Sequence, residues 1–252
     1  MRAIVKSLVL AACIAFAGAG HALAQGDDPA CGVAASLVSA DFRLPNVAAA
    51  INKKHLTVAV VGSASSTLPD AKKAYPARLE DALTNKLPGV TVKVVTHIKT
   101  RETAGEALPQ MRKLIAAEKP ALVVWQAGTA EALKGADTDT FGGVLRDGID
   151  AALDAKSDVV LINPQYSPRT ELMISISPYA DAMRIIALQH EILLFDRLAI
   201  MRRWGELGTF DLNEVTKKMD TANRVHDCIG HLLGDLILEA SRLPASSENG
   251  IK

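Results

Sequence analysis

The sequence predicts an α/β fold in which a five-stranded parallel sheet carries helices on both faces. Three observations predict it. Five short runs rich in Val, Ile and Leu alternate with amphipathic stretches of helical length, the pattern of successive strand–helix–strand units. Four of those runs are almost continuously apolar, as strands covered on both faces must be. No repeat, linker or low-complexity segment interrupts the rhythm, so one domain accounts for residues 56–242.

Taken in order, residues 25–55 read as a polar leader followed by a lead-in with one short helix. The first strand is LTVAVV, 56–61, and the helix after it spans 71–86, ended by Leu87-Pro88-Gly89. The second strand, 90–95, alternates apolar and polar residues, which marks it as the sheet's edge. Residues 103–118 form the next helix, stopped by Lys119-Pro120. ALVVWQ (121–126) and DVVLIN (158–163) are the third and fourth strands, separated by a helix over 141–155. A helix over 178–191 leads to the fifth strand, 192–196. The last helix, 223–242, places Val225, Ile229, Leu232, Leu233, Leu236 and Ala240 on one face. Residues 243–252 are a tail. Crossovers between the parallel strands are expected to be right-handed.

Residues 1–24 have the form of a secretory signal peptide: Arg2 and Lys6, an apolar run, then Ala-Leu-Ala before Gln25. The run falls short of the roughly 20 residues a membrane span needs, so no transmembrane segment is expected after cleavage. A competing reading takes Leu10-Ala11-Ala12-Cys13 as a lipoprotein site. Arg2 and Lys6 are the only charges in residues 1–24, leaving 26 basic and 28 acidic residues, a net charge of −2. That balance offers no attraction for nucleic acid or an anionic membrane. The expected location is periplasmic or secreted. Cys31 and Cys228 survive cleavage, and an oxidising compartment makes a disulfide between them the first expectation, with two separate buried thiols as the alternative.

In an open parallel sheet, ligands bind outside the carboxyl ends of the strands. The loops to read are therefore 62–67, 96–101, 127–130, 164–168 and the residues after Asp196. Ser63, Arg101, Gln126, Thr129 and Tyr166 are candidate ligand contacts by position there, and Trp125, inside an apolar strand, reads as core. His97 follows the second strand at the same edge, while His55 and His190 read as surface residues. No pair of residues has metal-ligand spacing: His226 and His231, five apart, face different ways on a helix. The glycines of VVGSAS lack the Lys of a phosphate loop and the spacing of a dinucleotide fingerprint. No metal or other cofactor is expected.

Six phrases in this order, LTVAVVGSASST, YPARLEDAL, VVWQAGT, LINPQYSP, FDRLAIMRRW and RVHDCIGHLLGDLI, resemble the SGNH/GDSL hydrolases, in particular a secreted bacterial branch. The resemblance spans about residues 56–240. It implies a flavodoxin-like three-layer α/β/α sandwich and, in working members, hydrolysis of acyl esters by a serine with a histidine as base. Acylated small molecules, glycans and lipids are the substrates it implies.

Carried over position by position, the family's blocks are altered here. Without a gap, Gly62-Ser63-Ala64 puts Ala64 at the nucleophile position; one inserted residue makes Ser65 the nucleophile. A hydroxyl-rich turn capping the next helix explains the same residues without chemistry. The second block's glycine, whose N–H holds the oxyanion, is replaced by Arg101. The third block reads Gly128-Thr129-Ala130, with Ala130 where an oxyanion-donating Asn is normal. Losing one such donor costs about 10²–10³ in rate. In the fourth block His226 is retained but the triad Asp is Asn223. An Asp-to-Asn change at that place in the serine-protease triad costs about 10⁴, roughly 5.5 kcal/mol of barrier. Asp227 points about 100° away from His226 on a helix, so Asp196, at the end of the fifth strand, is the candidate replacement.

Two functional classes follow. The first is a serine esterase with Ser65, His226 and Asp196 as its catalytic set, favoured narrowly because one insertion restores the serine. The second is a catalytically silent relative that binds an acylated glycan, lipid or cell-wall component, favoured by Arg101, Ala130 and Asn223. A periplasmic solute receptor would need two lobes, for which one run of five strands is too little.

Overall fold

A computed structural model describes the backbone at residues 23–24 and the chain at 31–213 and 219–244. Most of the expected signal peptide, the alternative lipoprotein site and the end of the tail lie outside those residues. Leu23–Ala24 (β1), immediately before the expected cleavage point, pairs antiparallel with Val33–Ala34 (β2).

The main sheet comprises His55–Gly62 (β3), Thr91–Ile98 (β4), Leu122–Gln126 (β5), Asp158–Ile162 (β6) and Leu193–Phe195 (β7). All pairings are parallel, and the order is β4-β3-β5-β6-β7. Counted along this sheet alone, that is the flavodoxin-like order 2-1-3-4-5. The chain reverses direction across the sheet between β3 and β5, and the crevice that such a switch point opens lies at their carboxyl ends.

Side-chain alternation divides the core into two layers. Val58, Val60, Leu122, Val124, Val160 and Ile162 face one cluster with helices α1 (Pro45–Asn52), α2 (Tyr75–Lys86), α8 (Arg197–Glu206) and α9 (Asp220–Arg242). Ala59, Val61, Val123, Trp125, Val159 and Leu161 face the other, under α3 (Ala104–Glu118), α5 (Thr138–Asp154) and α7 (Ser177–Gln189). Each fully buried aliphatic or aromatic side chain contributes about 1.5–3 kcal/mol, which explains why four strands carry apolar residues on both faces. Trp125 is 1 % exposed, a core residue as its setting predicts.

Strand β4 is an edge strand, as its alternation predicts, but it runs to Ile98 instead of stopping at residue 95. His97 therefore lies within the strand, opposite Val61, rather than in the loop after it. Its Nε2 is 2.7 Å from a carboxylate oxygen of Glu102, a local partner that holds the ring on this flank.

The helix expected over 71–86 begins only at Tyr75. A 3-10 turn over Ala71–Lys73, capped by Asp70, precedes it, because Pro76 can enter an α-helix only in its first turn. Three helices exceed the sequence reading: α4 (Thr129–Lys134), α6 (Pro168–Met173) and α8. The first two are too short to show periodicity. The third starts at the strand end, where the Asp196 side chain accepts from the Ala199 N–H as N-cap.

Cys31 and Cys228 form a disulfide that ties the lead-in to α9. The start of α1 is tied to the sheet by Asp158, which accepts from Val47 N–H at 2.9 Å and Asn46 Nδ2 at 2.7 Å. Among the described residues no helix is long and apolar enough to cross a membrane.

Candidate functional site

At the end of β3 the chain turns through Ser63 into a 3-10 turn over Ala64–Ser66. The turn folds back so closely that a Cβ on Gly62 would lie 2.2 Å from Ser66 Oγ; only glycine fits beneath it. One side chain organises this loop. Gln126, the last residue of the neighbouring β5, offers Oε1 to Ser66 Oγ at 2.9 Å, Ser65 Oγ at 3.1 Å, Ser63 N–H at 3.3 Å and Ser63 Oγ at 3.5 Å. Ser66 Oγ also lies 3.2 Å from the Tyr75 hydroxyl. With Ser66 donating to Gln126, the phenol donates to Ser66.

Tyr75 links the serine loop to the histidine. Its buried ring is tilted against His226 at 6.0 Å between centroids, and its backbone N–H donates to His226 Nδ1 at 3.0 Å. Pro76 places Tyr75 at the helix start, where an N–H has no partner within the helix. His226 supplies the acceptor. A neutral imidazole whose Nδ1 accepts carries its proton on Nε2. That is the reverse of the triad arrangement, in which Nδ1 donates to an acid and Nε2 is free to take the serine's proton. Burial, and then the positive charge of Arg197, pulls the His226 pKa down to about 3, so the ring is neutral across the physiological range.

Among the described residues no hydrogen bond joins Ser65 to His226. Ser65 donates to a neutral amide oxygen, which cannot take up a proton. Asp196 does not stand in for the missing triad acid. Its carboxylate accepts from Arg184 Nε at 2.8 Å, from Asn163 Nδ2 at 2.7 Å and from the Ala199 N–H, and makes no bond to His226. Burial pushes Asp196 up, but these donors outweigh it and hold the carboxyl below its ordinary pKa. Asp227, the other neighbouring acid, pairs with Arg78 at 3.3 Å.

The remaining predicted residues divide by place. Ser63, Ser65, Gln126 and Thr129 come together at the ends of β3 and β5, with the Gln126 Nε2 and Thr129 Oγ1 atoms buried and unbonded. Arg101 is exposed at φ 63°. It keeps the left-handed backbone that favours glycine, the residue the resemblance expects there. Tyr166 lies in the loop after β6, where Arg202 stacks on its ring at 5.5 Å. It lines a cavity of about 370 Å³ with Phe210 and Leu212.

Two important residues escaped the sequence reading. Arg197, fully buried, donates Nη1 to the Ser65 carbonyl at 2.8 Å and Nη2 to Gln165 Oε1 at 3.1 Å. It thereby joins the loops after β3 and β6. An Arg directly after the last strand's acid, at the sheet's functional end, was the available signal. Glu131, 3 % exposed, accepts from Gly128 N–H at 2.9 Å and from Ala104 N–H at the start of α3. One carboxylate thus occupies backbone donors in the loops after both β4 and β5. Its signal was the Glu three residues after Gly128, the spacing of a capping box. Among the described residues no three His, Cys, Asp or Glu side chains converge as a metal ion would require.

Comparison with solved structures places this arrangement in a known fold. TesA is 22 % identical over 71 % of this chain and 99 % of its own, with a TM-score of 0.57. The lipase/acylhydrolase from Enterococcus faecalis is 18 % identical over 73 % and 93 %, at 0.54. A catalytic mutant of an acetylxylan esterase from Geobacillus stearothermophilus is 14 % identical over 75 % and 95 %, at 0.58. These likenesses show the SGNH-hydrolase α/β/α fold. Among curated proteins no sequence matches. The sequence profile of one family spans residues 30–243, almost everything described above, and on that match the chain belongs to the non-GDSL lipase-like family.

Proposed function

We propose that this protein binds an acyl-bearing small molecule, glycan or lipid in the crevice at the ends of β3 and β5 without hydrolysing it. The observation that carries this reading is the Tyr75 N–H donated to His226 Nδ1. It sets the imidazole in the tautomer that cannot act as base from Nε2, and low basicity in the buried site reinforces the effect. Wrong-tautomer histidine alone costs about 10⁴ in the serine-protease triad. Ala130 lacks the oxyanion-donating side chain as well, and Glu131 already occupies the Gly128 and Ala104 amides. The ligand class rests on the fold neighbours, which are named as acetylxylan esterase and lipase/acylhydrolase: acyl groups on sugars and lipids are the chemistry such crevices accommodate. Export through the 1–24 signal belongs to the same reading, and a mature N-terminus at Gln25 by N-terminal sequencing tests it.

The esterase reading, with Ser65 as nucleophile, His226 as base and Asp196 as orienter, retains one observation in its favour. Tyr75 bonds both His226 and Ser66, the chain neighbour of Ser65, beside the switch point. A fluorophosphonate probe with p-nitrophenyl acetate hydrolysis separates the two. The binding reading expects no labelled serine and turnover equal to the Ser65→Ala variant. Rapid labelling of Ser65, with activity lost in that variant, would overturn it.

A further inference from the structure

Arg197 is a buried cation with neutral partners. It is 0 % exposed, and its two bonded acceptors are a backbone carbonyl and an amide oxygen. Its Nε is buried without a hydrogen-bond partner, and the Tyr75 ring lies 5.9 Å from its guanidinium carbon. No carboxylate among the described residues forms an ion pair with it. Asp196, its chain neighbour, is committed to Arg184 and Asn163, and Glu131 to two backbone amides. An unpaired buried charge is costly, and a solvent-excluded site strengthens any field it exerts. Burial lowers the Arg197 pKa only to about 10, so the charge persists at neutral pH.

The polar atoms left unbonded around it are suited to donating. Gln126 Nε2 is unbonded, and His226 carries its proton on Nε2 because Nδ1 accepts from Tyr75. Gln126 bonds both Ser65 and Ser66, Ser65 bonds Arg197, and Tyr75 bonds both Ser66 and His226. These groups therefore form one connected cluster, which a negative group would complete. A neutral ester would leave the charge uncompensated.

We propose that the crevice selects the free carboxylate of an acyl compound over its neutral ester, with the buried Arg197 charge and the donors above the Ser65 loop as the selecting groups. The proposal deepens the binding reading and rests on it. Arg197 is a positioning and field-setting residue, since its guanidinium is covered by the loops that it joins.

Calorimetry on the full mature protein with sodium acetate and sodium octanoate, each beside its methyl ester, tests it. At least one acid is expected to bind saturably, with its methyl ester about tenfold weaker or worse. Arg197→Met is expected to abolish the preference, and Arg197→Lys to retain part of it. The acid–ester difference is read on the unaltered protein, so a variant that fails to fold does not remove the test. Equal affinity for acid and ester overturns the charge selection while leaving the binding reading in place. Binding of neither acid at about 10 mM also overturns it; if a fluorophosphonate then labels Ser65 rapidly, the binding reading falls too.

Discussion

At the scale of single residues, the burial of His226 beside the Arg197 charge makes acid stability a direct report on the site. His226 is neutral in the folded protein down to about pH 3, whereas an unfolded histidine takes a proton near pH 6.5. Between those values the unfolded chain binds the additional proton. The contribution is therefore fully present above pH 6.5 and is lost as the pH falls toward 3, by about 5 kcal/mol at most. Denaturant titrations across that range should show His226→Gln less sensitive to acid than the parent; parallel curves would refute the low basicity of the buried ring. Gln126→Leu removes the acceptor shared by three hydroxyls and one N–H. At about 1–3 kcal/mol for a donor left buried and unsatisfied, a loss of at least 2 kcal/mol is expected in equilibrium unfolding. Glu131→Ala leaves the Ala104 and Gly128 amides bare. Its melting temperature should fall and be partly restored by formate, and not by chloride at equal ionic strength. The serine loop was visible in the sequence because small hydroxyl residues after an apolar run are distinctive. Its control by Gln126, Tyr75 and Arg197 was hidden, because those residues come from three other parts of the chain.

At the scale of elements, the close crossing of α2 and α9 sets where His226 stands. A Cβ on Gly230 would lie 2.4 Å from Arg78 Cβ and 2.9 Å from Arg78 backbone carbon, while Gly234 sits against Ala82. The helices approach this closely only because Gly230 lacks a side chain; at Gly234 a Cβ would meet Ala82 at 3.4 Å, an ordinary contact. Gly230→Ala should therefore destabilise by about 1–3 kcal/mol, despite alanine's better helix propensity, and weaken binding by shifting the ring. A gain in stability by thermal denaturation would show that the crossing has room. The apolar face of α9 was legible from its 3.6-residue period. The crossing was not, since periodicity reports which face is buried and says nothing of the partner. Strand β4 illustrates the same limit: its edge position follows from polar alternation, but its extension to Ile98 depends on pairing with Gly62 at the end of β3.

At the scale of the whole molecule, the Cys31–Cys228 disulfide closes a separation of 197 residues. It anchors the lead-in to α9, two residues beyond His226. In the chain-entropy account such a loop is worth about 5 kcal/mol as an upper estimate. Reduction, or the Cys31→Ser/Cys228→Ser pair, should lower the unfolding free energy by several kcal/mol. An unchanged denaturation midpoint on reduction would show that the bridge constrains nothing. By itself, the sequence determined the alternating layers, the parallel sheet with its edge strand, the family blocks and the loops that meet at the crevice. Those properties are written in local periodicity and in the order of short motifs, which survive any arrangement of neighbours. Only the tertiary structure decided the direction of each hydrogen bond there: Nδ1 of His226 accepting from Tyr75, Ser65 held by Gln126, and Arg197 buried with no counter-ion among the described residues. Those depend on atoms far apart in the chain arriving within about 3 Å of one another, and residue identity carries no information about which nitrogen will meet which partner.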